Sequence, residues 1–167
     1  MKKIGIVTII DNNNYGNRLQ NYAVQKKINS LKCETVTLKN NITLNSKDRY
    51  FLRLIKFFIS FKKTVNDKRL IFFEEFNKYI FFSKKNVTPF SNISNKYDYF
   101  IVGSDQFWNQ NFVRLRDVDL LCFAKNKQKI AFAAIFGVNE LKKKILKLKM
   151  LLNRLKLFLF VKMREKV

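Results

Sequence analysis

The sequence predicts an α/β domain built on a parallel sheet, and three observations carry that expectation. Short, β-branched apolar runs alternate along the chain with segments of helical periodicity. Three of those runs end in loops that bear Gly or Asn. The composition supports a packed core: 47% of the 167 residues are hydrophobic and 15% aromatic, with 18 Phe, whereas disordered chains are poor in aromatics. Such a length fits one domain, residues 1–167. With 4 Gly and 1 Pro, a collagen-like or linker-rich chain is excluded.

The elements follow in order. Lys3–Ile10 is continuously apolar after its lysine, as a strand covered on both faces should be. Asp11–Tyr15 is a polar loop. From Gly16-Asn17 the chain turns helical, with Leu19, Tyr22, Ala23, Lys26, Lys27 and Leu31 at helical spacing. Glu34–Leu38 alternates like a second strand. Residues 41–48 read as loop, and Tyr50–Phe61 and Lys68–Phe82 as Phe-rich helices. Pro89 marks a loop. Tyr97–Val102 is a strand that ends at Gly103-Ser104-Asp105, and Lys129–Ile135 is a strand that ends near Gly137. Glu140–Leu155 reads as a basic amphipathic helix and Leu157–Val161 as a last strand. The alternation gives a Rossmann-like parallel sheet with flanking helices. In such sheets, loops at the carboxyl ends of the strands form the ligand crevice.

Composition excludes several chemistries. The chain has no His, so an imidazole general base, Ser-His-Asp or Cys-His catalysis, and zinc sites with imidazole ligands are ruled out for this chain alone. Cys33 and Cys122 stand far apart without a CxxC and read as reduced, buried thiols. Lys and Arg number 34 against 12 Asp and Glu, a net charge of +22 that would draw polyanions or anionic membranes. Lys outnumbers Arg 26 to 8 beside many Asn, Ile and Phe, a pattern that AT-rich codon usage would produce, so the excess reads as partly compositional bias. The longest apolar stretches are interrupted by charge, which argues against a spanning helix. The apolar N-terminus stops at Asp11 with no small-x-small site after it, so a buried strand is expected there rather than a signal peptide.

Two strand-end loops are candidates for chemistry. In the first, Asn14, Tyr15, Gly16, Asn17 and Arg18 open a helix whose free backbone N–H groups suit an anion. Arg18 adds a forked cation for carboxylate or phosphate. The plainer reading has Gly16 in a turn, Asn17 as a cap and Arg18 in solvent. In the second, Gly103, Ser104, Asp105, Gln106 and Trp108 follow a strand end. Asp105 is placed to take a proton or hold a sugar hydroxyl, and Trp108 to wall a pocket. The plainer reading has Ser104 or Asp105 capping a helix and Trp108 in the core. The third loop, Phe136-Gly137-Val138-Asn139-Glu140, reads chiefly as a strand ending.

Taken together, NYGNRLQNYAVQ (Asn14–Gln25), YDYFIVGSDQFWN (Tyr97–Asn109) and KIAFAAIFGVNEL (Lys129–Leu141) resemble the polysaccharide pyruvyl transferase family, and FFEEFNKYI (Phe72–Ile80) fits a helix between them. The resemblance implies the N-terminal half of a glycosyltransferase-B-like two-domain architecture. It implies transfer of a pyruvyl group from phosphoenolpyruvate to sugar hydroxyls as a ketal, in cell-surface polysaccharide biosynthesis, with no cofactor besides that donor. It implies a saccharide acceptor, lipid-linked in some systems, and a cytoplasmic location reaching to the inner membrane face. Asp105 and Arg164 are then the catalytic candidates, Arg164 through the Arg-Glu of Lys162-Met163-Arg164-Glu165. Asn14–Arg18, Gly103, Ser104, Gln106 and Trp108 are the substrate-binding ones. Family members are longer, and their second domain supplies a His and further cations to the donor site. The chain is therefore expected to need a C-terminal domain or a partner chain, and to release no phosphate by itself. The alternative is a basic α/β module without catalysis that binds nucleic acid or a membrane surface. The membrane version rests on Tyr50–Phe61 and Ile145–Met163. The nucleic-acid version lacks any recognition signature and rests on charge and aromatic content alone.

Overall fold

The computed structural model describes residues 1–10, 14–40, 68–103, 107–108, 116–134 and 157–159. They form β1 (Lys2–Val7), α1 (Tyr15–Ser30), β2 (Cys33–Lys39), α2 (Lys68–Asn77), β3 (Phe82–Asn86), β4 (Tyr99–Val102), β5 (Lys129–Phe132) and β6 (Leu157–Leu159). The strands make one six-stranded sheet in the order β3-β2-β1-β4-β5-β6, and every pairing is parallel. The chain thus steps outward from β1 to β3, crosses back, and steps outward from β4 to β6. That reversal between β1 and β4 is the switch point of a Rossmann-like sheet.

The expected α/β class holds, with corrections to individual elements. β3 is a strand where the sequence pattern predicts the end of a helix, and it lacks the apolar alternation of its neighbours: FSKKN exposes Lys84, Lys85 and Asn86. It lies at the sheet edge, where lysines discourage pairing with another chain. α2 accordingly stops at Asn77. β1 ends at Val7 and β5 at Phe132, earlier than their apolar runs, because Thr8–Ile10 and Ala133-Ala134 leave the ladder to form the sheet's crest. The expected helices at Tyr50–Phe61 and Glu140–Leu155 lie outside the described residues. Both cysteines are free, but Cys122 is exposed and Cys33 only half-buried, since each sits in or beside a turn rather than in the core. Partial desolvation of the Cys122 thiol, then the charge of Asp117, push its pKa up, with Lys129 opposing.

Strand alternation divides the sheet into two different faces. One carries Val7, Leu38, Phe100, Val102 and Ala131, which pack with Val87, Trp108, Val118 and Leu121 into the main core. Phe100 lies against Tyr97 and Phe123 at ring distances of 5.3 and 5.1 Å. It also lies across Gly5, where a Cβ would come within 2.9 Å of both Phe100 and Leu38. Among the described residues this face is covered by loops and the short 3₁₀ turns Ser94–Lys96, Asp117–Leu120 and Asn126–Gln128.

The other face is joined to α1 by polar groups. Expected inward residues Leu19 and Leu31 are exposed, and the buried ones are Arg18, Asn21 and Gln25. Thr37 Oγ1 donates to Asn21 Oδ1 at 2.8 Å and accepts from Gln25 Nε2 at 2.8 Å. Gln25 also brackets Phe81 of the β3 approach, donating to its carbonyl at 2.9 Å and accepting from its N–H at 3.1 Å. Thr35 Oγ1 donates to Asn29 Oδ1 at 2.7 Å. The seam therefore runs along Asn21, Gln25 and Asn29, four residues apart on one helix face.

Thr37→Val keeps the side chain's shape but leaves a buried acceptor on Asn21 and removes a partner of Gln25. A loss of about 1–3 kcal/mol is expected from urea unfolding, with α1 and β3 loosening together in hydrogen exchange. An unchanged urea midpoint would show that the seam is not needed for stability.

Candidate functional site

The crest above β1 and β4 gathers the ends of the two candidate loops. Gly103 N–H donates to the Val7 carbonyl at 3.2 Å, joining the ends of the two strands. Gly103 has φ +155°, and a Cβ there would lie 1.7 Å from the Phe132 carbonyl oxygen. Only glycine lets β4 leave the sheet between β1 and β5 at this height. The next turn is strained as well: Ala133 has φ 51°.

α1 starts on the β1 side of the crest. Its N-cap is Asn14, whose Oδ1 accepts from the Gly16 N–H at 2.8 Å, so the cap falls three residues before the expected Asn17. Tyr15 turns away from the crest and stacks on Phe73, with centroids 4.5 Å apart. Gly16 is exposed and Asn17 half-buried. Arg18 is not in solvent. It is 3% exposed, donates from Nη2 to the Ile10 carbonyl, and sits 5.7 Å from the Phe82 ring centroid. The first turn of α1 holds no acidic residue. The positive end of the helix dipole and a guanidinium thus share one corner of the crest, an arrangement that favours a bound anion.

A second guanidinium, absent from the sequence-based candidates, stabilises the neighbouring corner. Arg116 grips the buried Asp119 carboxylate in a fork, Nε to Oδ2 at 2.9 Å and Nη2 to Oδ1 at 2.7 Å. Its Nη1 donates to the Asn40 carbonyl at the end of β2, and Asn40 Nδ2 donates to the Thr8 carbonyl at 3.3 Å. Trp108 Nε1 donates to the Asp119 carbonyl at 3.1 Å. This chain of bonds ties the exits of β1 and β2 to the second candidate loop. Its one sequence signal was an Arg and an Asp three apart, in a chain with few carboxylates.

The sequence-predicted residues divide accordingly. Asn14, Gly16, Asn17, Arg18 and Gly103 lie at the crest. Trp108 is 1% exposed within the main core, so its indole packs there rather than lining an open pocket. Ser104, Asp105, Gln106 and Arg164 lie outside the described residues, as does the third loop from Ile135 onward. Among the described residues no three His, Cys, Asp or Glu side chains gather as a metal-ligand set.

Gly103→Ala should unfold at markedly lower urea, by about 2–4 kcal/mol, because both the backbone conformation and the Phe132 carbonyl oppose a Cβ. Equal stability of the variant would mean that β4 leaves the sheet by another path. Asp119→Ala should cost about 2–3 kcal/mol and shift Trp108 emission to the red as the indole's anchor loosens. Unchanged emission and stability would make the Arg116–Asp119 fork incidental.

No family model, curated protein or solved structure matches this chain.

Proposed function

We propose that this chain forms the N-terminal, donor-binding half of a polysaccharide pyruvyl transferase of glycosyltransferase-B-like architecture, acting in cell-surface polysaccharide biosynthesis. One observation carries the reading. The two motifs that resemble that family, Asn14–Gln25 and Tyr97–Asn109, are far apart in sequence, yet they leave adjacent parallel strands at the switch point. Open α/β sheets bind ligands there. The α1 N-terminus and Arg18 supply what phosphoenolpyruvate calls for, donors and a cation to meet its carboxylate and phosphate.

In the proposed reaction two sugar hydroxyl oxygens bond to C2 of phosphoenolpyruvate and the bond from C2 to the phosphate oxygen breaks. One hydroxyl proton ends on C3, making the methyl group, and the other leaves with inorganic phosphate. A general acid for C3 and a base for the hydroxyls are required. Asp105 is the proposed base, by its place in the motif after Gly103. Arg164 is assigned to the donor side through its Arg-Glu pair. Gly103 lets the backbone approach the ligand closely, and Ser104 and Gln106 supply hydroxyl and amide groups beside it. The acceptor is a saccharide, lipid-linked or free, met at the cytoplasmic face of the membrane, with remaining cations coming from a second domain or partner chain. Among the described residues no helix is long and apolar enough to cross a membrane.

Calorimetric titration of the chain at about 0.15 M salt tests the donor site. Phosphoenolpyruvate is expected to bind at least about tenfold, or 1.4 kcal/mol, more tightly than inorganic phosphate. Arg18→Gln should remove that preference while Trp108 emission reports an intact core. Equal, weak binding of both anions, lost with added salt, would sink the proposal and leave only the general charge of the chain.

A further inference from the structure

The α1–α2 side of the sheet exposes an apolar surface that begins beside Arg18 and extends away from the crest. Leu19, Phe72 and Tyr79 are each more than half exposed and line one cleft of about 440 Å³ with Tyr15, Phe73 and Phe76, and with Arg18 and Glu75 as its charged members. The rings form a layer of two groups along the cleft: Tyr15 stacks on Phe73, and Phe76 lies 5.6 Å from Tyr22 and 6.1 Å from Tyr79. Leu70, Ile71 and Phe81 extend the exposed apolar area. A soluble face seldom carries this many large apolar side chains without an occupant.

Cations border the layer. Lys26 Nζ sits 5.4 Å from the Tyr22 ring centroid, and Lys27 follows it exposed on α1. Lys84 is exposed on β3 and shares the sheet face of Phe82, which lies beside Arg18. On α2, Glu75 is neutralised by Lys78 at 2.6 Å, and the exposed Glu74 is outnumbered by these lysines. Aromatic and aliphatic side chains bordered by lysines are what a bilayer with anionic headgroups complements: the rings enter the headgroup boundary and the ammonium groups meet the phosphates.

We infer that the α1–α2 face is a docking surface for an anionic phospholipid bilayer, with Leu19, Phe72 and Tyr79 inserted and Lys26, Lys27 and Lys84 on the headgroups. The charge complementarity selects this occupant over a second copy of the chain, whose own face would bring the same lysines together. The inference needs no substrate: although Arg18 borders both this cleft and the proposed donor corner, vesicle binding and phosphoenolpyruvate binding can fail separately. It also differs from a purely electrostatic attraction by the chain's net charge, because it requires particular apolar side chains.

Sedimentation of the full chain with vesicles tests it. Phosphatidylglycerol-containing vesicles are expected to bind the chain at least about tenfold better than pure phosphatidylcholine at about 0.1 M salt. The double variant Leu19→Ser, Phe72→Ser should lose about tenfold of that binding with every lysine in place. Trp108, on the opposite face, should keep its emission and so certify the fold. Should the double variant fail to fold, Tyr79→Trp gives a second reading: its added emission should move to the blue on anionic vesicles. Three results would each overturn the inference: vesicle binding unaffected by the double variant, an indole at position 79 whose emission stays unshifted, or a stable dimer that the double variant dissociates.

Discussion

The placement of everything at the crest depends on how α1 is held to the sheet, and that contact is made by hydrogen bonds. Asn21 and Gln25 converge on one hydroxyl, that of Thr37, which is fully buried in β2. Apolar contact is non-directional and tolerates a helix sliding by a fraction of a turn. Buried amides are less forgiving, because a slip leaves their donors and acceptors unpaired at about 1–3 kcal/mol each. The seam therefore fixes the rotation and height of α1, and with them the position of Asn14, Gly16 and Arg18. Gln25 carries the same constraint to the next strand by bracketing the Phe81 peptide. One amide side chain thus aligns α1, β2 and the entry to β3.

The opposite face works by packing. Gly5 lets the Phe100 ring lie flat across β1, and Phe100 in turn meets Tyr97 and Phe123. Burying a side chain of this size contributes about 1.5–3 kcal/mol over leaving it exposed. This core also has a polar stay at its upper edge, where Arg116 and Asp119 join Asn40, Thr8 and Trp108. The fork spans the exits of β1 and β2 at the height where the ladders end. The two faces meet at the crest, one presenting a helix terminus and the other a braced loop.

Much of this was legible in the residues. The apolar runs at β1, β4 and β5 gave strand character because central parallel strands are covered on both faces, whereas β2 was legible from its alternation and β6, at the other edge, from its short apolar run. β3 was not legible, because an edge strand needs only one covered face and no apolar run. The inward side of α1 was misread for a related reason: its buried stripe is Arg18, Asn21 and Gln25, and hydropathy periodicity registers only apolar stripes. Gly103 was read as a strand ending, but its need for a glycine comes from the Phe132 carbonyl, a neighbour supplied by a distant strand. Arg116 and Asp119 escaped notice because their meaning lies in Asn40 and Trp108, which only the fold brings to them. Asn14 rather than Asn17 makes the cap, a choice among four asparagines that sequence pattern alone leaves open.

The seam also bears on why Arg18 can stand where it does. A cation in the first turn of a helix opposes the dipole, typically by about 0.3–1 kcal/mol and by more when buried. Burial adds a desolvation cost, which its contacts, the Ile10 carbonyl and the Phe82 ring among them, offset. An isolated helix would relieve both by rotating the guanidinium into water. Here rotation would pull Asn21 and Gln25, three and seven residues on, away from Thr37. The hydrogen bonds of the seam hold the guanidinium in that place, so the fold itself sets its position beside the switch point. A group placed in this way can meet a ligand without reorganising the protein, because its orientation is already set in folding.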